Sequence, residues 1–380
     1  MKKIFAYIAI AVSMSACVND DQYSWEEDFA DRTSTDTLSI GIAFNGSNVT
    51  VTGDENGYVS VSGADVTVKS SSNKFLQLVL SGSSNDGSLL IYSWRKLGVV
   101  LNNLTLTNPD GPAINNQCGK SFYITSAEGT INTLTDGTTY ATAPTNAKGD
   151  TIDQKATLFS EGQIYFNGTG TLNVNGNAKN GVASDDYVTI LSSTINIKVA
   201  STGSNGIKAN DGMFIKGGNL TIDVSADGAR GIKNDARTEI SGGTTTIITR
   251  GACKIETIDG ITDTTSCAGI KSDSLFTMTA GTLAITSHGD GGKGINCSEN
   301  IELNGGSMTV KTEGDNKIGK PKAVKSDTGI ILRGGKFHAE CKKSWACDNG
   351  SDSDEPEDHL TIVGTPVSKT IGKRLVEVSF

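Results

Sequence analysis

Gly206-Ile207-Lys208, Gly231-Ile232-Lys233, Gly269-Ile270-Lys271, Gly294-Ile295-Asn296 and Ala323-Val324-Lys325 open successive units of one repeat that fills the chain between Gly181 and Gly350. Each opening is followed within a few places by an acidic residue: Asp211, Asp235, Asp273, Glu299 or Asp327. A short alternating run comes next, then a small-residue pair: Gly217-Gly218, Gly242-Gly243, Ala280-Gly281, Gly305-Gly306 or Gly334-Gly335. A second run, such as Leu220-Thr221-Ile222 or Leu283-Ala284-Ile285, follows the pair. Most units are roughly 25 residues long, and self-similarity at a period of roughly 20–50 residues marks a stacked solenoid.

The period and the pattern together choose the architecture. Every run is too short for a helix and alternates apolar with polar, as half-buried strands do. A unit of this length holds about three strands of the usual 5–6 residues. One coil cannot bury its own inward face, whereas stacked coils pair their strands in parallel and align inward side chains in ladders. The Gly-Gly pairs supply positive φ at a corner. The consensus of a leucine-rich horseshoe is absent, and propeller blades need about 40 residues each. The expected fold is all-β, a parallel β-helix closed by β caps at both ends.

Outside the repeat the chain divides readily. Residues 1–17 have the form of a lipoprotein signal peptide, with Lys2 and Lys3, an apolar stretch from Ile4 to Val12, and Met14-Ser15-Ala16-Cys17 as the lipobox. Cleavage before Cys17 exposes the thiol that takes the lipid, and the apolar run is too short to span a bilayer. An outer-membrane lipoprotein is expected, cell-surface exposed or periplasm-facing. Residues 18–37, acidic and polar, are expected to be a flexible tether. Residues 38–88 are expected to form the N-terminal cap and first irregular coils, and residues 89–350 the β-helix. Residues 351–380 are expected to form an acidic loop and capping strands. Gly137 to Lys155 reads as a polar loop projecting from one corner. Cys253 with Cys267, and Cys341 with Cys347, are disulfide candidates in an exported chain.

Two segments carry a family resemblance. Gly129-Thr130-Ile131-Asn132-Thr133-Leu134-Thr135-Asp136-Gly137 is one. The other is Gly168-Thr169-Gly170-Thr171-Leu172-Asn173-Val174-Asn175-Gly176-Asn177, followed by Asn180-Gly181-Val182-Ala183-Ser184-Asp185-Asp186. Both resemble the carbohydrate-binding-domain-containing parallel β-helix proteins, over roughly residues 60–350. The resemblance implies a right-handed β-helix with the shape of pectate lyases, non-catalytic, binding cellulose-like or pectin-like polysaccharide, with calcium.

Stacking places equivalent positions of adjacent coils about 4.8 Å apart. Lys208, Lys233, Lys271 and Lys325 then form a basic row, interrupted by Asn296, that can contact the carboxylates of an acidic glycan. Asp185, Asp211, Asp235, Asp273, Glu299 and Asp327, with Asp227, Asp290 and Asp315 at another corner, are the metal-ligand candidates. Two compensations are open for these acids: pairing with the lysines and turn backbone, or calcium held by carboxylate and carbonyl oxygens.

Composition narrows the partners. The 380 residues carry a formal net charge of −9, which argues against generic nucleic-acid binding. Gly181–Gly350 carries about nineteen acidic and nineteen basic side chains, so the net acidity lies outside the repeat and an anionic polymer is not repelled from it. Trp94, Tyr92, Tyr140, Trp345 and Tyr187 look scattered and are expected to serve packing. No Ser/His/Asp or Cys/His arrangement is visible among the three histidines. The expectation is a non-catalytic polysaccharide-binding lipoprotein. The alternatives are a surface adhesion protein that uses the solenoid as a spacer and a calcium-dependent polysaccharide lyase.

Overall fold

The alternation read in the sequence is the alternation of burial in space. In Asn219–Val224 the side chains of Leu220, Ile222 and Val224 are at most 1 % exposed, and their neighbours face outward. Three such strands make one coil, and the computed structural model, which describes residues 36–146, 149–258, 260–265 and 267–380, stacks these coils into a parallel β-helix. The first ladder runs through Ala64–Ser70, Gly87–Ser93, Ile114–Asn116, Ala156–Ser160, Asn180–Ser184 and Ile207–Ala209. It continues through Arg230–Asn234, Ala268–Ser272, Lys293–Cys297 and Lys322–Ser326 to Cys347–Asp348. The second includes Phe122–Ser126, Ile164–Gly168, Tyr187–Ile190, Gly212–Ile215, Thr238–Ile240 and Phe276–Met278. The third includes Ile131–Asp136, Thr171–Gly176, Thr194–Val199, Asn219–Val224, Thr244–Thr249 and Thr282–Ser287. The long strand Leu97–Asn108 serves two ladders: Leu97 pairs with Phe122 and Thr105 with Thr133.

Register turns single residues into continuous rows. Ile222, Ile247, Ile285 and Val310 align in the third ladder, and Val182, Ile207, Ile232, Ile270, Ile295 and Val324 in the first. All are buried at 1 % exposure or less, and each contributes about 1.5–3 kcal/mol of apolar burial. The second residue of each small pair turns the corner with positive φ: +74° at Gly218, +72° at Gly243, +84° at Gly281, +82° at Gly306 and +81° at Gly335. Left-handed backbone is what a side chain resists and glycine accepts.

Antiparallel hairpins close both ends, where an open coil would expose unpaired backbone. Thr37–Asn45 pairs with Asn48–Thr52, and Val59–Ser62 with Ala64–Ser70. At the far end Leu375–Ser379 lies antiparallel to both Lys336–Cys341 and Ser368–Ile371.

Three expectations are altered. The extra residues of the coil that opens at Gly231 form a hairpin, Lys254–Ile258 against Ile261–Thr265. Cys253 and Cys267 flank it, yet both are buried free thiols, as are Cys341 and Cys347. Cys341 ends a third-ladder strand with its Sγ 3.5 Å from the Pro321 carbonyl, whereas Cys347 begins a first-ladder strand, so each sits in its own ladder. Burial pushes the Cys267 thiol up to about 11 and raises Cys347 further, so both stay protonated and unreactive. The described part of the segment Gly137 to Lys155 does not simply project. It folds back on the outer face of the first ladder, where Asn115 Nδ2 donates to the Asp153 carbonyl at 2.9 Å. Beneath it Ala156, Phe159 and Ala183 form a small apolar cluster outside the main core. Cys17 and most of the 18–37 segment lie outside the described residues.

Candidate functional site: a charged corner of the helix

The basic row exists. Lys208, Lys233, Lys271, Asn296 and Lys325 are consecutive register partners on the outer face of the first ladder. The strand ends there, and the backbone pairing places Asp185, Asn210, Asp235, Asp273, Ser298 and Asp327 at one equivalent position of the turn. Asp211 and Glu299 fall one residue later, out of that row. Within a coil the lysine reaches the acid two residues on. Lys233 Nζ lies 3.3 Å from Asp235, and Lys271 and Lys325 pair in the same way with Asp273 and Asp327. Intracoil pairing therefore answers the repulsion between stacked carboxylates, where calcium was the alternative.

One coil breaks the pattern asymmetrically. Asn296 and Ser298 remove both charges together, but Lys208 keeps its ammonium while Asn210 replaces the acid. Lys208 makes no ion pair among the described residues. The Asn210 Oδ1 beside it is buried without a hydrogen-bond partner among the described residues.

The other predicted ligands serve turns and neighbouring lysines. Asp227 Oδ1 accepts from the Ala252 N–H at 2.9 Å, and Asp290 Oδ1 from the Asp315 N–H at 2.8 Å. Lys343 holds Asp315 at 3.1 Å, which depresses that carboxyl. Glu299 accepts from the Ser274 hydroxyl. None of these eight joins a three-carboxylate group among the described residues; Asp185 alone of the predicted set does.

That group is Asp153, Glu161 and Asp185, whose carboxylate oxygens lie within 4.8 Å of one another. Glu161 and Asp185 stand in adjacent coils at the turn from the first ladder to the second, and Asp153 comes from the folded-back segment. Lys155 Nζ is 2.6 Å from Asp153 and 2.5 Å from Asp185, and sits over the Phe159 ring at 5.3 Å. Glu161 has no such partner among the described residues. Burial first, then Asp185 and Asp153, push its carboxyl above the usual range. The segment is anchored by Tyr140, whose buried hydroxyl donates to Asp136 Oδ2 at 2.6 Å. An open cleft of about 560 Å³ reaches Asp153 of the group, lined also by Thr138, Tyr140, Gln154 and Lys179 among others. Lys179 Nζ lies 5.0 Å from the Tyr140 ring centroid.

A second feature escapes the sequence. Aromatic side chains that look scattered in the chain form a row on the outer face of the second ladder. Tyr123 stacks on Tyr165 at 5.0 Å, Tyr165 meets Tyr187 edge-on at 5.8 Å, and Tyr187 meets Phe214 edge-on at 5.7 Å. Phe75 adds a further edge contact to Tyr123 at 6.3 Å. Unequal insertions between coils hide this alignment in the linear spacing.

The site is thus a solenoid corner with clustered carboxylates, a basic-row lysine without an intracoil acid and an adjacent aromatic row. A family model described as "Carbohydrate-binding domain-containing protein" matches residues 62–344, and the chain belongs to that family. A protein of the same description from Acetivibrio thermocellus is 28 % identical over 169 residues, which are 43 % of this chain and 55 % of the relative. The chain thus matches little more than half of that relative's length. Among solved structures, the polysaccharide lyase-like protein from C. thermocellum, studied as a gadolinium derivative, superposes with a TM-score of 0.57 at 25 % identity. The likeness covers 70 % of this chain and 97 % of the other.

Proposed function

We propose that this β-helix binds an acidic, pectin-like polysaccharide without cleaving it, at the corner built by Asp153, Glu161, Asp185 and Lys208. The observation that carries the reading is the unmatched Lys208 one register step from Ala183, in the coil next to Asp185. An ammonium left without an intracoil acid is available to a ligand carboxylate, and such charge-assisted bonds are the strong ones.

Calcium fits the second half of the corner. Three carboxylates offer a hard oxygen donor set of the kind calcium takes. Burial first, and then the charge of Asp185 and Asp153, which Lys155 offsets only in part, raises the carboxyl of Glu161. Asp153, Glu161 and Asp185 would hold the ion, and the ion would supply charge to neutralise a uronate. Family membership supports carbohydrate as the ligand class. In the same proposal the chain is exported and held at the outer membrane by lipid on Cys17, on the strength of the signal-like residues 1–17.

A glycan panel tests this with the full chain. Retention by polygalacturonate in calcium, and weaker retention in chelator, is the expected result. Binding to no acidic or cellulose-like glycan overturns the reading, and ultraviolet-absorbing unsaturated product from polygalacturonate makes the protein a lyase.

A further inference from the structure

The aromatic row is placed by more than chance packing. Phe122 and Ile124 face the core at 0 % and 1 % exposure, so alternation turns Tyr123 between them away from the core cluster, yet its neighbours cover it to 2 % exposure, while Tyr165, Tyr187 and Phe214 stay half-buried. Tyr165 is the register partner of Tyr123, Thr189 follows, and then Phe214. Later coils fill the same outer row with Glu239, Thr277 and Glu302. Since the fold accepts Thr or Glu there, the rings are not demanded by the stack.

Two glycines make room for the row. Gly98 is the register partner of Tyr123, and a Cβ on it would come within 3.0 Å of the Phe75 ring. Gly212 is the register partner of Tyr187, and a Cβ there would come within 2.9 Å of the Phe214 ring. Each absent side chain lets a flanking ring lie back towards the row. At its end the Arg237 guanidinium sits 5.1 Å from the Phe214 ring centroid.

The row is continuous with the carboxylate corner. Tyr165 lies on the strand that follows Glu161, and Tyr187 on the strand that follows Asp185. We propose that Tyr165, Tyr187 and Phe214, backed by the buried Tyr123 ring, form a sugar-stacking track that extends the corner along the helix axis, taking one pyranose of a glycan chain per coil. This inference rests on the carbohydrate-binding reading above. A pyranose presents an apolar C–H face rimmed by hydroxyls. Aromatic rings attract polarised C–H groups, and tyrosine adds a polar tip. The rings follow one another at 5.0, 5.8 and 5.7 Å between centroids, close to the coil spacing of about 4.8 Å, so a polymer running along the axis meets one ring per coil although Tyr187 stands two residues before the row position of Thr189. Arg237 gives the far end a cation for an acidic sugar, as Lys208 does at the corner.

Binding of polygalacturonate in calcium and of soluble hydroxyethyl cellulose is measured for the full chain and for Tyr187→Ala, Phe214→Thr and the corner variant Glu161→Gln. Phe214→Thr copies the residue type of Thr189 and Thr277, which keeps the fold. We expect Tyr187→Ala and Phe214→Thr each to weaken whichever glycan the parent binds by about tenfold, with the melting temperature preserved. Parent-like affinity in both ring variants, with a loss in Glu161→Gln, overturns the track and leaves the corner standing. A parent that binds neither glycan overturns the carbohydrate reading itself.

Discussion

Lys208 and Asn210 occupy the positions that Lys233 and Asp235 occupy one coil later, and that single exchange of carboxylate for amide leaves one ammonium of the basic row without its acid. The lysines of the later coils are held by their own coils; Lys208 is held by none of the described residues. It follows that the row is not one uniform binding strip. Lys208→Ala is expected to weaken polygalacturonate binding by about tenfold, the scale of one charge-assisted bond, while Lys271→Ala leaves it within about threefold. Asn210→Asp should mimic Lys208→Ala by restoring the intracoil pair. Titration of the three variants checks this, and equal effects of Lys208→Ala and Lys271→Ala contradict it.

Glu161 links the metal to stability. Its folded carboxyl is raised by burial and by Asp185 and Asp153. A raised folded value contributes stability below the unfolded value of about 4.3, and that contribution is lost as pH rises through the folded value. Above the folded value an ionised Glu161 is therefore a cost that a cation relieves. Glu161→Gln is expected to raise the melting temperature in chelator and to abolish the increment calcium gives the parent. Saturation at about 100 times the dissociation constant stabilises by about 2.7 kcal/mol. Thermal melts with calcium and with chelator decide it.

Asp348 and Lys322 form a largely buried pair at 2.7 Å, with side chains 17 % and 10 % exposed. Burial of Asp348 opposes its charge, but the Lys322 hydrogen bond and charge and the Gly350 N–H prevail and lower its carboxyl. The sign is opposite to that of Glu161. The contribution is present above the unfolded value of about 3.9 and fades as pH falls through the folded one. Asp348→Asn should cost about 3 kcal/mol at pH 7, since it strands a buried lysine, and much less near pH 2. Denaturant titrations at both pH values measure the difference.

The glycines that open the repeat units have a steric reason. A Cβ on Gly269 would lie 2.3 Å from Ile285 Cγ2 and 2.7 Å from the Gly294 carbonyl oxygen. Gly269→Ala is expected to destabilise by about 1–3 kcal/mol through overpacking. Melting of Gly269→Ala measures the cost.

Much of this molecule is legible from residue spacing, because a solenoid converts sequence period into spatial register. The strand rows, the Gly218 and Gly243 corners and the Lys208–Lys233–Lys271 row follow directly. The carboxylate group does not, since Asp153 arrives from an insertion whose path back over Asn115 and Phe159 has no periodic signature. The aromatic row is hidden for a related reason: the segment between Tyr123 and Tyr165 includes that insertion, so equivalent rings lie at unequal sequence intervals. Free Cys253 and Cys267 show the limit of local cysteine spacing, since a buried hairpin root accommodates thiols as readily as it suggests a bridge.

The most direct test of the account is retention of the full chain by polygalacturonate in calcium and in chelator, with absorbance followed for unsaturated product. The account predicts retention in calcium, reduced retention in chelator and flat absorbance. Retention unchanged by chelator, or absent in both conditions, would contradict a calcium-assisted acidic-glycan site at this corner.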